Sequence, residues 1–106
     1  MSITEKFSGV ELQTAANVYF DGKCVSHSFV TADGNHKSVG VVLPSKLTFG
    51  TGKPEIMECV KGSCRYLLAG ESEWKTCSAG EMFSIPGNSS FDIEVDEAFH
   101  YVCHYG

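Results

Sequence analysis

Histidine pairs spaced His-x-His are missing from these 106 residues, and so is any Cys-x-x-Cys. The first absence removes the commonest imidazole pair for holding a catalytic metal, and the second removes the usual zinc and dithiol motifs. The five cysteines, Cys24, Cys59, Cys64, Cys77 and Cys103, are odd in number. They read as small buried hydrophobes rather than as a disulfide framework, a zinc site or a catalytic thiol. Basic residues are scarce as well. Eight Lys and Arg against 13 Asp and Glu give a net charge of −5, which repels a polyanion, so nucleic acid is not an expected partner and any phosphate must be held by a local site. No run approaches the ~20 consecutive apolar residues of a membrane helix, and Met1–Val10 lacks the basic-then-apolar order of a signal peptide. No membrane partner and a cytoplasmic location are therefore expected. Neither a Gly-x-Ser-x-Gly elbow nor a Gly-x-x-x-x-Gly-Lys phosphate loop occurs.

What is present is the composition of a folded, soluble chain, 42% hydrophobic and 20% charged, without a low-complexity tract. A chain of this length cannot divide into two units that each bury a core, so residues 1–106 are read as one domain, with 1–15 as a loosely ordered N-terminal extension. Such a chain buries only about 65% of its unfolded surface, and a homodimer is the expected way to cover the rest.

Runs of four to eight residues rich in Val, Phe, Tyr, Thr and Ile are separated by Gly, Asp, Asn, Ser and Pro, the punctuation of an all-β fold. Asp21-Gly22 and Asp33-Gly34 supply the positive φ angles of two hairpin turns. Further strands are expected over 38–43, 47–51, 55–61, 64–68, 73–77, 82–85, 91–95 and 99–105, and a helical turn over Glu11–Ala15. About ten short strands with turns every 8–12 residues fit a jelly roll or small barrel, which removes most open sheet edges by curling two sheets around one lumen.

Glu55 and Gly62 keep a Glu-x6-Gly spacing, and Gly80 and Pro86 a Gly-x5-Pro spacing with Phe91 five positions on. Both resemble the two motifs of the cupin superfamily, which implies a cupin-type jelly-roll barrel, or double-stranded β-helix. In that family a His-x-His pair precedes the Glu, and a His follows the Pro. Here those positions hold Thr48 and Gly50, or Phe49 and Thr51 with the shorter gap, and Phe91. A first-row metal bound by Glu55 alone would be weak and nonspecific, so no metal and no cofactor are expected.

A narrower resemblance rests on Ser38-Val39-Gly40-Val41, Leu47-Thr48-Phe49-Gly50-Thr51, Pro54-Glu55-Ile56-Met57, Gly80-Glu81-Met82-Phe83-Ser84-Ile85-Pro86, Asn88-Ser89-Ser90-Phe91 and Tyr101-Val102-Cys103-His104-Tyr105. In order and spacing these blocks are similar to the pyrimidine/purine nucleoside phosphorylase family of small single-domain cupins. The resemblance implies a broad-specificity pentosyltransferase of nucleoside salvage. It would cleave adenosine, guanosine, inosine, xanthosine, cytidine, uridine and thymidine, with inorganic phosphate as co-substrate, to free base and pentose 1-phosphate. One departure is His104, where some relatives carry Arg.

Phosphorolysis asks the site to hold phosphate near C1′, to stabilise an oxocarbenium-like sugar and to accept bases of two sizes. Glu55 is the candidate catalytic residue, a carboxylate facing the barrel mouth that binds ribose hydroxyls and stabilises the developing charge; the alternative is a surface Glu at a strand start. Phe49, Met57, Phe83, Phe91 and Tyr101 are candidates for a substrate wall that stacks any base, although a barrel core requires the same side chains. Thr48 and Thr51, with the backbone around Gly50 and Gly52, are candidates for an anion nest, with Lys53 or Arg65 adding charge; an ordinary Gly-rich corner has the same composition. His104 is expected near the mouth as a hydrogen-bond donor. Two rival functions stand beside this reading. A metal-dependent cupin enzyme is opposed by the missing imidazoles, and a non-enzymatic cupin that binds a small metabolite is not.

Overall fold

The computed structural model describes residues 4–106. Eleven strands run as β1 (Glu11–Leu12), β2 (Asn17–Tyr19), β3 (Cys24–Val30), β4 (His36–Val42), β5 (Ser45–Gly50), β6 (Glu55–Lys61), β7 (Ser63–Leu68), β8 (Lys75–Ser78), β9 (Met82–Ile85), β10 (Ser90–Val95) and β11 (Phe99–Tyr105). A single 3-10 turn over Phe20–Gly22 is the only helical element among the described residues, so none is long and apolar enough to cross a membrane. Seven strands form one sheet in the order β1-β3-β4-β11-β6-β9, with β2 also pairing β3, and β5-β10-β7-β8 form the other. This is the all-β, cupin-type jelly-roll barrel that the motif spacing implies.

Period-two patterning selects the lumen side of each strand. In β10, Phe91, Ile93 and Val95 are buried while Ser90, Asp92 and Glu94 are half-buried on the opposite face. Along β11 the inward set is Phe99, Tyr101 and Cys103, and these meet Leu47, Met57 and Ile93 in the core between the sheets. The two motif glycines have backbone reasons to be glycine. Gly62 has a φ of +82°, and a Cβ there would lie 2.4 Å from the Ala98 carbonyl oxygen. Gly80 has a φ of +89° and donates its amide to Cys59 O at 2.9 Å. All five cysteines are buried and none is in a disulfide.

The N-terminal segment departs from expectation. No helical turn forms over Glu11–Ala15; instead β1 pairs with the edge of β3, Glu11 opposite Val30 and Leu12 opposite Phe29. Five residues are too few to nucleate an isolated helix, whereas the edge of β3 offers unpaired backbone donors and acceptors. Nor is the segment a loose extension over its described part. The Phe7 ring packs on Phe29 at 4.8 Å, and the Thr4 amide donates to Glu58 Oε2 at 3.0 Å. Residues 1–3 of the expected extension lie outside the described residues. The first hairpin also turns earlier than its Asp21-Gly22 dipeptide suggests, because positive φ begins at Phe20.

Candidate active site

Of the cavities among the described residues, one of about 420 Å³ runs along β1, β3 and β4 around Ser28, His36 and Lys37, and two others bear on function. The larger, about 650 Å³, is an open trough on the outer face of the seven-stranded sheet, floored by Val25, Val39, Val41, Val60 and Val102. Glu5, Lys6, His27 and His100 also line it, but it lacks the carboxylate at the motif position that the lumen holds. The other, about 310 Å³, is the mouth of the barrel lumen, and a carboxylate, tyrosines and aromatic rings share its wall. That volume falls at the small end of the ~300–1,000 Å³ typical of ligand pockets.

Glu55 opens β6 directly after Pro54, and alternation along the strand sends Glu55, Met57 and Cys59 inward. Pairing sets it opposite Tyr105 on β11 and Ile85 on β9. Among the described residues its carboxylate accepts one hydrogen bond, to Oε1 from the Cys103 thiol at 3.4 Å. Burial pushes the Glu55 carboxyl above its ordinary value, and the weak thiol donor offsets only part of that. Cys103 is itself pushed up to about 12, chiefly by burial, so it is a neutral S–H donor and not a nucleophile. Beyond it, Tyr105 and Ser38 share a hydrogen bond at 3.0 Å, and burial raises the Tyr105 phenol as well. Deeper in, the Tyr101 hydroxyl lies 3.6 Å from the Cys24 thiol. Gly40 makes room for it: a Cβ at that position would stand 2.8 Å from the Tyr101 hydroxyl and 2.6 Å from the Val25 carbonyl oxygen.

The ambiguity between the two motif gaps is resolved by register. Phe91 on β10 faces Phe49 on β5, and the rings stack with centroids 5.5 Å apart and planes at 21°. Where cupins that hold a metal place imidazoles, this barrel therefore has two phenyl rings. Glu55 and a neutral thiol leave a metal one charged ligand, a donor set that does not fit a first-row ion.

Of the expected substrate wall, Phe49, Met57, Phe91 and Tyr101 border the lumen cavity with Glu55. Phe83 does not. It is buried against Tyr66, ring centroids 3.8 Å apart, deeper in the core. Thr48 touches the cavity rim, but its hydroxyl donates to Asp92 at 2.7 Å, because even-numbered residues of β5 and β10 point away from the lumen. Thr51 is a corner brace: its hydroxyl donates to Pro86 O at 2.7 Å and accepts from the Ser89 amide at 3.0 Å.

The expected anion nest is absent for a backbone reason. Gly50 and Gly52 have no positive φ, the Thr51 amide is committed to Ser89 O, and Gly52 O accepts from Asn88. Arg65 is likewise spent elsewhere. It pairs with Glu94 at 2.6 Å and Asp96 at 2.9 Å, since β7 and β10 set Arg65 opposite Glu94. Lys53 stays exposed in the loop before Glu55, without an ion pair among the described residues. His104 is not at the mouth. It points to the outer face, with Nε2 2.9 Å from Glu58 and Nδ1 2.7 Å from the Lys37 ammonium. An ammonium only donates, so Nδ1 accepts and the ring proton sits on Nε2.

Six wall residues escaped the reading of the sequence, Ser26, Val42 and Cys103 besides the aromatic Tyr19, Phe20 and Tyr105. Tyr105 had a signal, because stepping by two from Tyr101 through Cys103 reaches it. Tyr19 and Phe20 had none, since they reach the mouth from a hairpin whose turn is irregular.

Comparison with known proteins agrees with this architecture. A protein of unknown function from Acinetobacter sp. ADP1, 44% identical, superposes with a TM-score of 0.94 over 97% of this chain and all of its own. A putative ethanolamine utilization protein from Salmonella typhimurium, 13% identical, shares the cupin-like fold alone, with a TM-score of 0.68 over 91% of this chain and 95% of its own. A Ralstonia pickettii strain 12J protein named pyrimidine/purine nucleoside phosphorylase is 68% identical over 96% of this chain and 97% of its own. Residues 14–105 match the family described as pyrimidine/purine nucleoside phosphorylase, and the chain belongs to that family.

Proposed function

We propose that the barrel lumen is the active site of a pentosyltransferase that cleaves purine and pyrimidine nucleosides with inorganic phosphate. The observation that carries this reading is Glu55, a partly desolvated carboxyl with one weak hydrogen-bond donor, beside a metal seat filled by Phe49 and Phe91. A carboxylate so poorly satisfied is available to a ligand. Family membership supplies the reaction class.

In this reading a phosphate oxygen forms the new bond to C1′ while the C1′–N bond breaks. The electron pair of that bond leaves on the base nitrogen, which takes up, through solvent, the proton that hydrogen phosphate loses. Glu55, ionised, accepts hydrogen bonds from the ribose hydroxyls and faces the positive charge that develops on the sugar ring. The rings of Phe49 and Phe91 keep water from that charge and offer the base an apolar wall without donors or acceptors, which favours no base edge. Phosphate approaches C1′ on the face opposite the departing base. Tyr105, which borders the cavity, contributes a hydroxyl donor, and Lys53, exposed in the loop before Glu55, contributes positive charge, in place of the nest and Arg65.

The test is base release from uridine and from inosine with and without phosphate. Free base and pentose 1-phosphate are expected in equal amounts, only when phosphate is present, and unaffected by a chelator. Release at the same rate without phosphate would make the protein a hydrolase. No release under either condition, with retained nucleoside binding, would leave a binding cupin.

A further inference from the structure

The aromatic pair in the metal seat belongs to a longer file of rings. Phe91 meets Phe83 at 5.9 Å, and Phe83 stacks on Tyr66 at 3.8 Å, toward the core. In the other direction Phe49 meets Phe20 edge-on, centroids 5.3 Å apart and planes at 82°. Phe83 and Phe91 are buried and Phe49 is half-buried, whereas Phe20 is 45% exposed and borders the lumen cavity. Phe20 is the open end of the file, at the mouth.

The backbone that carries it is costly. Phe20 has a φ of +53°, Asp21 +54° and Gly22 +90°, three left-handed residues in succession in the β2–β3 hairpin. Only glycine adopts this region freely; a phenylalanine there is rare and sterically disfavoured. The conformation is nonetheless fixed, by the Lys23 amide on Phe20 O at 3.1 Å and the Leu43 amide on Lys23 O at 2.7 Å. Strain held at a cavity mouth by surrounding hydrogen bonds, and used to present a half-exposed aromatic ring, points to a ligand.

We infer that Phe20 is the nucleobase platform of the site and its main determinant of base tolerance, an inference that rests on the proposed phosphorylase reading. The base stacks on the Phe20 ring at the mouth while the sugar reaches inward to Glu55. Every nucleobase has a π face, so a platform without edge contacts holds a purine and a pyrimidine alike. The ring sits on the β2–β3 turn at the cavity mouth, half open to solvent, which leaves room for bases of either size.

The experiment compares Phe20→Gly, Phe20→Leu and Phe20→Trp for KM and kcat on inosine and uridine, for melting temperature, and for inosine binding by calorimetry without phosphate. In Phe20→Gly, KM is expected to rise about ten- to a hundredfold for both nucleosides, the range that loss of one stacked base corresponds to. The melting temperature should not fall, because glycine suits the left-handed position. Phe20→Trp should restore KM, and Phe20→Leu should fall between. A KM within twofold of wild type in Phe20→Gly, with the wild type active, overturns the platform and leaves the phosphorylase reading standing. Inosine binding that is lost in Phe20→Gly, in a wild type that releases no base with phosphate, upholds the platform and overturns phosphorolysis. A raised KM that tracks a lowered melting temperature and is not rescued by Trp assigns Phe20 to packing and overturns the inference.

Discussion

Glu55 and Glu58 lie on the same strand, β6, and face opposite sides of the sheet. Glu58 is the more buried, at 4% exposure, yet its carboxyl is held below the ordinary value while that of Glu55 is raised. Burial pushes both upward. On Glu58 the hydrogen bonds from His104 Nε2 and from Thr4 outweigh it, whereas on Glu55 a single thiol at 3.4 Å does not. Depth therefore says little about which carboxylate is functional. The difference lies in donor supply: Glu58, given strong donors by its own chain, ties the N-terminal segment to the sheet, and Glu55, short of donors, is the carboxylate that the proposed mechanism assigns to the sugar.

Replacing Glu55 should break the comparison hardest. Glu55→Gln is expected to lower kcat by about 10²–10⁴-fold, the range for loss of a positioned ionisable catalytic group. The same variant should melt higher than wild type at pH 7–8. A carboxyl whose folded pKa lies above its unfolded one contributes stability that is full below the unfolded value and is lost as pH rises through the folded one. Gln carries no charge to bury, so its advantage should vanish near pH 4. Thermal melts across that range, beside steady-state rates, check both halves; a variant that loses fold and activity together takes Glu55 out of the mechanism.

Glu58→Gln is expected to invert this pattern with a smaller effect. It removes an ionised acceptor whose donors remain half-buried, and should cost about 1–3 kcal/mol of stability at neutral pH while turnover per folded molecule stays within about twofold. Here the folded pKa is lowered, so the stabilisation is present above the unfolded pKa and lost as pH falls through the folded value. The gap between variant and wild type should therefore close in acid, the same direction of convergence as for Glu55 but from the opposite side. Urea titrations at pH 7 and pH 4 read it out.

How much of this was legible in the sequence follows from the range of the interaction involved. Alternation is local, so β10 and β11 and their inward faces could be read directly, and so could the turns at Gly62 and Gly80, where only the backbone decides. The substituted metal positions were legible as a set. Whether Thr48 or Phe49 faces inward was not, because the motif allows two gaps and only the pairing of Phe91 with Phe49 chooses between them. Arg65 was misread for the same reason: the register of β7 against β10 brings it to Glu94, 29 residues away. Phe83 alternates inward as expected, but at a level of the barrel that Tyr66 already fills. Phe20 left no trace, because its exposure depends on a left-handed backbone at a residue that gives no hint of one.

The subtlest way to sharpen the contrast is to change the one donor Glu55 has. The Cys103 hydrogen bond lowers the Glu55 pKa, against the larger upward push of burial. Cys103→Ala removes it, so Glu55 should titrate higher still, and the acidic limb of the pH profile of kcat, which reports a carboxylate that must be ionised, should move to higher pH. Cys103→Ser puts a stronger donor in nearly the same volume and should move that limb the other way. Neither substitution reaches the outer face where Glu58 sits, so the acid dependence of stability that Glu58 governs should keep its midpoint. Opposite displacements of the kinetic limb from Ala and Ser, at a fixed stability midpoint, would show that the two carboxylates of β6 titrate as independent groups. A limb that stays put in both variants would mean that the group controlling turnover is not the carboxyl beside Cys103.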